Sequence, residues 1–192
     1  MTSLENTSAT DPTGGSVVTD QENIKVWDIA VRLFHWSMVG TFAFAWVTAD
    51  EWDRPHEIAG YIVGGLIAFR LLWGLIGSKH ARFSDFFTSP FTVLRYLAQE
   101  MGGKAKRYIG HNPAGGAMVI ALLVSLTGIT ISGIAMVSDT FWGMDWVEEI
   151  HEFFAYFTLA LIGLHIVGVI VASVQHRENL VKSMITGWKR NK

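Results

Sequence analysis

The chain has 192 residues, of which 50% are hydrophobic and only 17% charged, with a formal net charge of −2. A soluble domain carries ~25% charged residues, so this composition argues for a membrane protein, and the near-neutral balance leaves no basic surface for nucleic acid. The absence of cysteine excludes disulfides, iron–sulfur clusters and covalent haem attachment through C-x-x-C-H.

Residues 1–23 (MTSLENTSATDPTGGSVVTDQEN) are polar, mildly acidic and rich in Thr, Ser and Gly. They read as a disordered tail ahead of a single membrane domain over 24–192. They have neither a basic n-region nor an apolar h-region, so they are not a signal peptide. Four long, nearly charge-free runs follow, at 31–49, 57–76, 114–137 and 151–174. Each is close to the ~20 residues that cross a ~30 Å hydrocarbon core, and none shows the polar face of a soluble bundle helix. The expected fold is all-α: a membrane-spanning four-helix bundle running up-down-up-down. Between the second and third runs, 83–100 (FSDFFTSPFTVLRYLAQE) gathers Phe83, Phe86, Phe87, Phe91, Leu94 and Leu97 on an interfacial cytoplasmic helix. That helix either lies on lipid or roofs a quinone pocket.

Charge sets the expected orientation. The 77–113 connection is rich in Lys and Arg, as is the tail from 175, with Arg177, Lys182, Lys189, Arg190 and Lys192. The other two connections are acidic, with Asp50, Glu51 and Asp53 in one and Asp139, Asp145, Glu148 and Glu149 in the other. The positive-inside rule places both termini in the cytoplasm and both acidic turns outside. Trp46, Trp52, Trp142 and Trp146 then border the outer surface, and Trp27, Trp36, Trp73 and Trp188 the inner one.

Four histidines fall on or at the edges of the apolar runs, and intramembrane histidines are costly unless used. His151 and His165 are 14 residues apart, which on a helix is ~21 Å of rise and nearly the same face. His35 lies level with His165 near the inner side, and His56 level with His151 at the outer edge. The constellation reads as two bis-histidine haems stacked across the membrane, His35 with His165 and His56 with His151. The plainer alternative is helix-bridging hydrogen bonds. Zinc is a weaker competitor, because the fourth position after His151 is Ala155 and H-E-x-x-H is absent. His80, His111 and His176 read as solvated, interfacial or lipid-facing. Arg70 lies 14 residues after His56 and reaches the inner level, as a partner for haem propionates or as a snorkelling side chain. Arg32 reads as a headgroup or propionate contact. Gly60, Gly64, Gly65, Gly163 and Gly168 allow close approach of a haem edge or a helix, and Gly128, Ser132 and Gly133 read as structural.

Val26-Trp27-Asp28 followed by Arg32-Leu33-Phe34-His35-Trp36 resembles the opening of the prokaryotic cytochrome b561 and Ni,Fe-hydrogenase cytochrome b subunit family. His56-Glu57 with Gly60-Tyr61, Arg70-Leu71-Leu72-Trp73-Gly74 with Gly77, Tyr108 to Pro113, and the two histidines of the last run are similar to the same family. The likeness covers roughly 24–190. It implies a di-haem b protein of the bacterial inner membrane, multi-pass, that moves electrons between the quinone pool and a partner. It implies the same two histidine pairs. The acidic outer turns would attract a basic periplasmic partner, such as a c-type cytochrome; a hydrogenase subunit is the family's other suggestion. The rival readings are a superoxide:ubiquinone oxidoreductase acting alone, which the negative outer face disfavours, and a non-redox scaffold. A homodimer is left open.

Overall fold

The computed structural model describes residues 23–191. Among them the chain is mostly helical, with seven α-helices and one two-stranded ribbon. Strand β1 (Asn23–Lys25) leads into α1 (Ile29–Thr48) and α2 (Asp53–Ile76). The short helices α3 (Phe83–Phe86) and α4 (Pro90–Met101) precede α5 (Pro113–Met136), α6 (Asp145–Gln175), α7 (Leu180–Thr186) and β2 (Trp188–Arg190). The expected tail lies outside the described residues except for Asn23, which is the first residue of β1.

The helix starts follow local chemistry. Asp28 caps α1 by accepting from the Val31 amide at 2.8 Å, and Asn112 caps α5 by accepting from Gly115 at 2.6 Å with Pro113 at the first helical position. All four long helices begin ahead of the apolar runs, α2 and α6 by a turn or more. Asp53 and Asp145 with Glu148 occupy first turns, where acidic side chains meet the positive end of the helix dipole. His56 and His151 are therefore the fourth and seventh residues of their helices, not the first.

Among the described residues three helices are long and apolar enough to cross a membrane: α2, α5 and α6. Helix α1 is 20 residues long, but Arg32 and His35 dilute its apolar character and it falls outside that set. Side chains such as Leu72, Leu75, Ile76, Val124, Ile131, Leu164 and Val174 are exposed on the long helices, an apolar coat that a water-soluble protein would not present.

Helix α1 packs along α2, α2 against α5, and α5 along α6, with α4 resting on α5. One core forms where Met38, Val63, Ile67 and Leu126 meet. Ser125 and Thr158, both fully buried, share a 2.6 Å hydrogen bond that joins α5 to α6. Helix α6 does not pack along α1 or α2; it meets α1 through Trp46 and Tyr156, whose rings are 5.6 Å apart.

A second cluster, Val26, Trp27, Val31 and Ala81, closes the end of the bundle that carries the ribbon. There β1 and β2 pair antiparallel, Ile24 opposite Lys189. Gly187 turns the chain into β2 at φ 87, and a side chain there would also strike the Trp27 carbonyl. Arg107 pairs with Glu178 at 3.1 Å, and Glu178 also accepts from the Arg190 amide. Asp28 takes further hydrogen bonds from the Trp73 indole and the Ser78 hydroxyl. The opposite end consists of the turns around 49–52 and 137–144.

Candidate functional site

Helix α6 carries His151 and His165 on nearly one face, and each meets one partner. The His165 ring centre is 6.5 Å from that of His35 on α1, toward the ribbon end. The His151 ring centre is 6.1 Å from that of His56 on α2, toward the turn end. All four expected histidines thus come together as two pairs, in the combinations expected from depth. Among the described residues no group of three or more His, Asp or Glu is arranged to hold a metal ion.

The hydrogen bonds around the two pairs differ. His56 Nδ1 lies 2.8 Å from the Ala45 carbonyl oxygen. His151 Nδ1 lies 3.1 Å from both the Ile129 carbonyl and Ser132 Oγ. Carbonyls only accept, so Nδ1 carries the proton in both rings and the lone pair sits on Nε2. The Ser132 hydroxyl donates to the Gly128 carbonyl at 2.8 Å, which frees its oxygen to accept from His151. By contrast, His35 Nδ1 is buried with no acceptor among the described residues.

The pairs fit a metal-centred group between them. With ~2 Å from metal to imidazole nitrogen on each side, plus the reach from nitrogen to ring centre, the centres of facing rings stand roughly 6 Å apart. Space flanks the pairs as well. A Cβ added at Gly60, one turn after His56, or at Gly168, three residues after His165, would meet nothing within 4 Å.

Arg70 is 3% exposed, with its guanidinium 4.8 Å above the Phe83 ring and Nη1 buried without a partner among the described residues. It does not snorkel out of this fold. Arg32 donates to the Ile185 carbonyl and so ties α1 to α7, while its Nε is buried and unpartnered among the described residues.

Sequence reasoning missed three features. Ser132 and Gly133 meet His151 directly: the first accepts from it, and a Cβ on the second would come within 3.1 Å of the His151 ring. Both lie near the turn end of α5, level with His151, and a depth comparison extended to α5 would have found them. His111 is not solvated or lipid-facing. Its ring packs between Trp27 and Phe86, tilted against both at centre distances of 4.7 and 4.6 Å, and its Nδ1 is buried. Burial, reinforced by Arg70 and Lys189, pushes its pKa down to about 3. His80 is held by Asp85 at 3.0 Å.

The family model described as prokaryotic cytochrome b561 matches residues 26–187. The chain belongs to that family. Haem b and electron transfer within a membrane are what membership implies. Among curated relatives, a protein of Azotobacter vinelandii is 22% identical, the alignment covering 92% of each chain. One of Rhizobium leguminosarum bv. viciae is 21% identical over 96% of this chain and 95% of its own. One of Rhodobacter capsulatus is 23% identical over 92% of this chain and 87% of its own. Each is named a probable Ni/Fe-hydrogenase B-type cytochrome subunit. No solved structure matches the chain at comparable significance.

Proposed function

We propose that this protein carries electrons across the bacterial inner membrane through two bis-histidine b haems. The two facing histidine pairs, at 6.5 and 6.1 Å and on two levels of α6, are the observation that carries this reading. His35 and His165 hold the inner haem, and His56 and His151 the outer. In this reading α1 spans the membrane with α2, α5 and α6, the termini and the ribbon lie in the cytoplasm, and the acidic turns face the periplasm. Haem b supplies a one-electron couple at each level.

The protein's residues do the rest. With one imidazole from each of two facing helices, each histidine pair would hold a haem without leaving a place for a substrate, so the chain would relay electrons and bind no reactant there. The Ala45 and Ile129 carbonyls and Ser132 orient the outer ligands. Arg70 and Arg32 offer their charge to the propionates of the inner haem, the counter-charge that a buried guanidinium requires. Helix α4 presents Phe91, Leu94 and Leu97 outward and lies along the cytoplasmic lipid surface. Quinone is the mobile carrier on the membrane side. The relatives' names make a hydrogenase subunit the favoured periplasmic partner, with a basic c-type cytochrome as the other fit to the acidic face.

The test is a reduced-minus-oxidised spectrum of the purified protein with a pyridine haemochrome assay. Two b haems per chain are expected. One would make one histidine pair structural, and none would leave all four histidines to helix packing.

A further inference from the structure

We propose that the hydrogen bonds on His56 and His151 hold the outer haem at the lower potential of the two, with Ser132 as a positioning residue that helps set it. This rests on the two-haem reading above. The physical basis is the unequal hold on the ligands. Each outer imidazole donates from Nδ1 to a backbone carbonyl, His56 to Ala45 at 2.8 Å and His151 to Ile129 at 3.1 Å. An acceptor on Nδ1 draws the proton away from the ring and makes Nε2 a stronger donor to the metal. A stronger donor stabilises the ferric state more than the ferrous, which lowers the potential. Inner His35 has its Nδ1 buried with no acceptor among the described residues, so it is the weaker donor.

Ser132 adds to this at His151 alone. Its hydroxyl proton is shared between the Gly128 and Ile129 carbonyls at 2.8 and 3.0 Å, so the oxygen turns a lone pair to His151 Nδ1 at 3.1 Å. It is 5% exposed on α5, where no water competes for that lone pair. The absent side chain at Gly133 lets the ring approach, since a Cβ there would stand 3.1 Å from the His151 ring.

Charge acts in the same direction. Buried Arg70 lies toward the ribbon end, and Glu149 and Glu152 flank His151. The order of the two potentials therefore does not separate hydrogen bonding from charge. A substitution at Ser132 does, because it changes no charge.

The experiment is a potentiometric titration of the haem spectrum in the purified full chain. His165→Ala and His56→Ala each leave one wave and so assign the two. The outer wave is expected below the inner. Ser132→Ala should raise the outer wave by up to tenfold in the oxidised-to-reduced ratio, ~59 mV for one electron, leaving the inner wave in place. Ser132→Thr, which keeps the acceptor, should restore it, and Ser132→Cys, a weaker acceptor, should give a smaller rise should the alanine variant lose haem. An outer wave above the inner one, or an outer wave that none of the Ser132 variants moves, overturns the proposal while two-haem stoichiometry stands. Failure of the two-haem reading would instead appear in the haemochrome assay.

Discussion

Two imidazoles facing each other across 6.5 or 6.1 Å inside an apolar bundle gain little from one another. In the inner pair, His35 Nδ1 is also buried without a partner among the described residues, a cost that the facing ring does not repay. The haem proposed for each pair would repay it, and that makes a sharp prediction. His35→Ala and His165→Ala should each remove the same spectral component, and His56→Ala and His151→Ala the other, in low-temperature difference spectra. Loss of one common component from His35→Ala and His56→Ala would break the pairing. Gly133 extends the argument to a residue without a side chain. Its Cβ would press on the His151 ring at 3.1 Å, and α5 has little room to yield beside the buried Ser132. Gly133→Ala should lower outer haem content while the inner haem stays at full occupancy, read from the same spectra.

The long helices were legible because a run near ~20 apolar residues has few other uses, and His151 and His165 could be paired by depth because 14 residues is close to four helical turns. What escaped were interactions with no period. The ribbon depends on Ile24 meeting Lys189 across the whole chain, and no local pattern announces it. His111 stood in a basic segment that reads as solvated, yet Asn112 and Pro113 start α5 there and fix the ring between Trp27 and Phe86. The stretch 83–100, expected as one interfacial helix, is split into α3 and α4, with Phe86 buried against His111 rather than turned outward, while on α4 Phe91, Leu94, Leu97 and Met101 are exposed. If lipid covers that side, Leu94→Asp with Leu97→Asp should free the segment and speed proteolysis within 83–104 in liposomes. Haem content should be unchanged. An unaltered cleavage rate would mean that the helix does not rest on the membrane. Within the bundle, the Ser125–Thr158 bond at 2.6 Å has no water to replace it. Ser125→Ala should cost ~0.6–2 kcal/mol, the range of interhelical hydrogen bonds in membranes, measured as a lower midpoint in detergent-driven unfolding.

At the scale of the molecule, the ribbon end is a polar knot built against an apolar bundle, and its titrating groups share one sign. Burial pushes His111 from an ordinary 6.5 down to about 3, with Arg70 and Lys189 adding to the shift. Burial raises the Glu178 and Asp28 carboxyls, but hydrogen bonds outweigh it: from Arg107, with Lys189 nearby, at Glu178, and from Ser78, Val31 and Trp73 at Asp28. Both carboxyls stay below their usual range. A group whose pKa is lower folded than unfolded holds fewer protons in the folded state, so stability rises with pH across the gap and is lost as pH falls. The His111 share is present above pH 6.5 and is lost progressively down to about 3. The carboxylate shares persist to lower pH and are lost as it falls through their folded values. Acid should therefore loosen the ribbon end before it reaches the long helices, whose cores hold no carboxylate. Trp27, packed against His111 and sharing its buried cluster with Val26, Val31 and Ala81, should report this as a fluorescence change between pH 6.5 and 4 that precedes loss of helical circular dichroism. His111→Phe keeps an aromatic ring in the stack and removes the proton site, so it should flatten the dependence of thermal stability on pH in that window. A slope that survives the substitution would assign the acid sensitivity to the carboxylates alone.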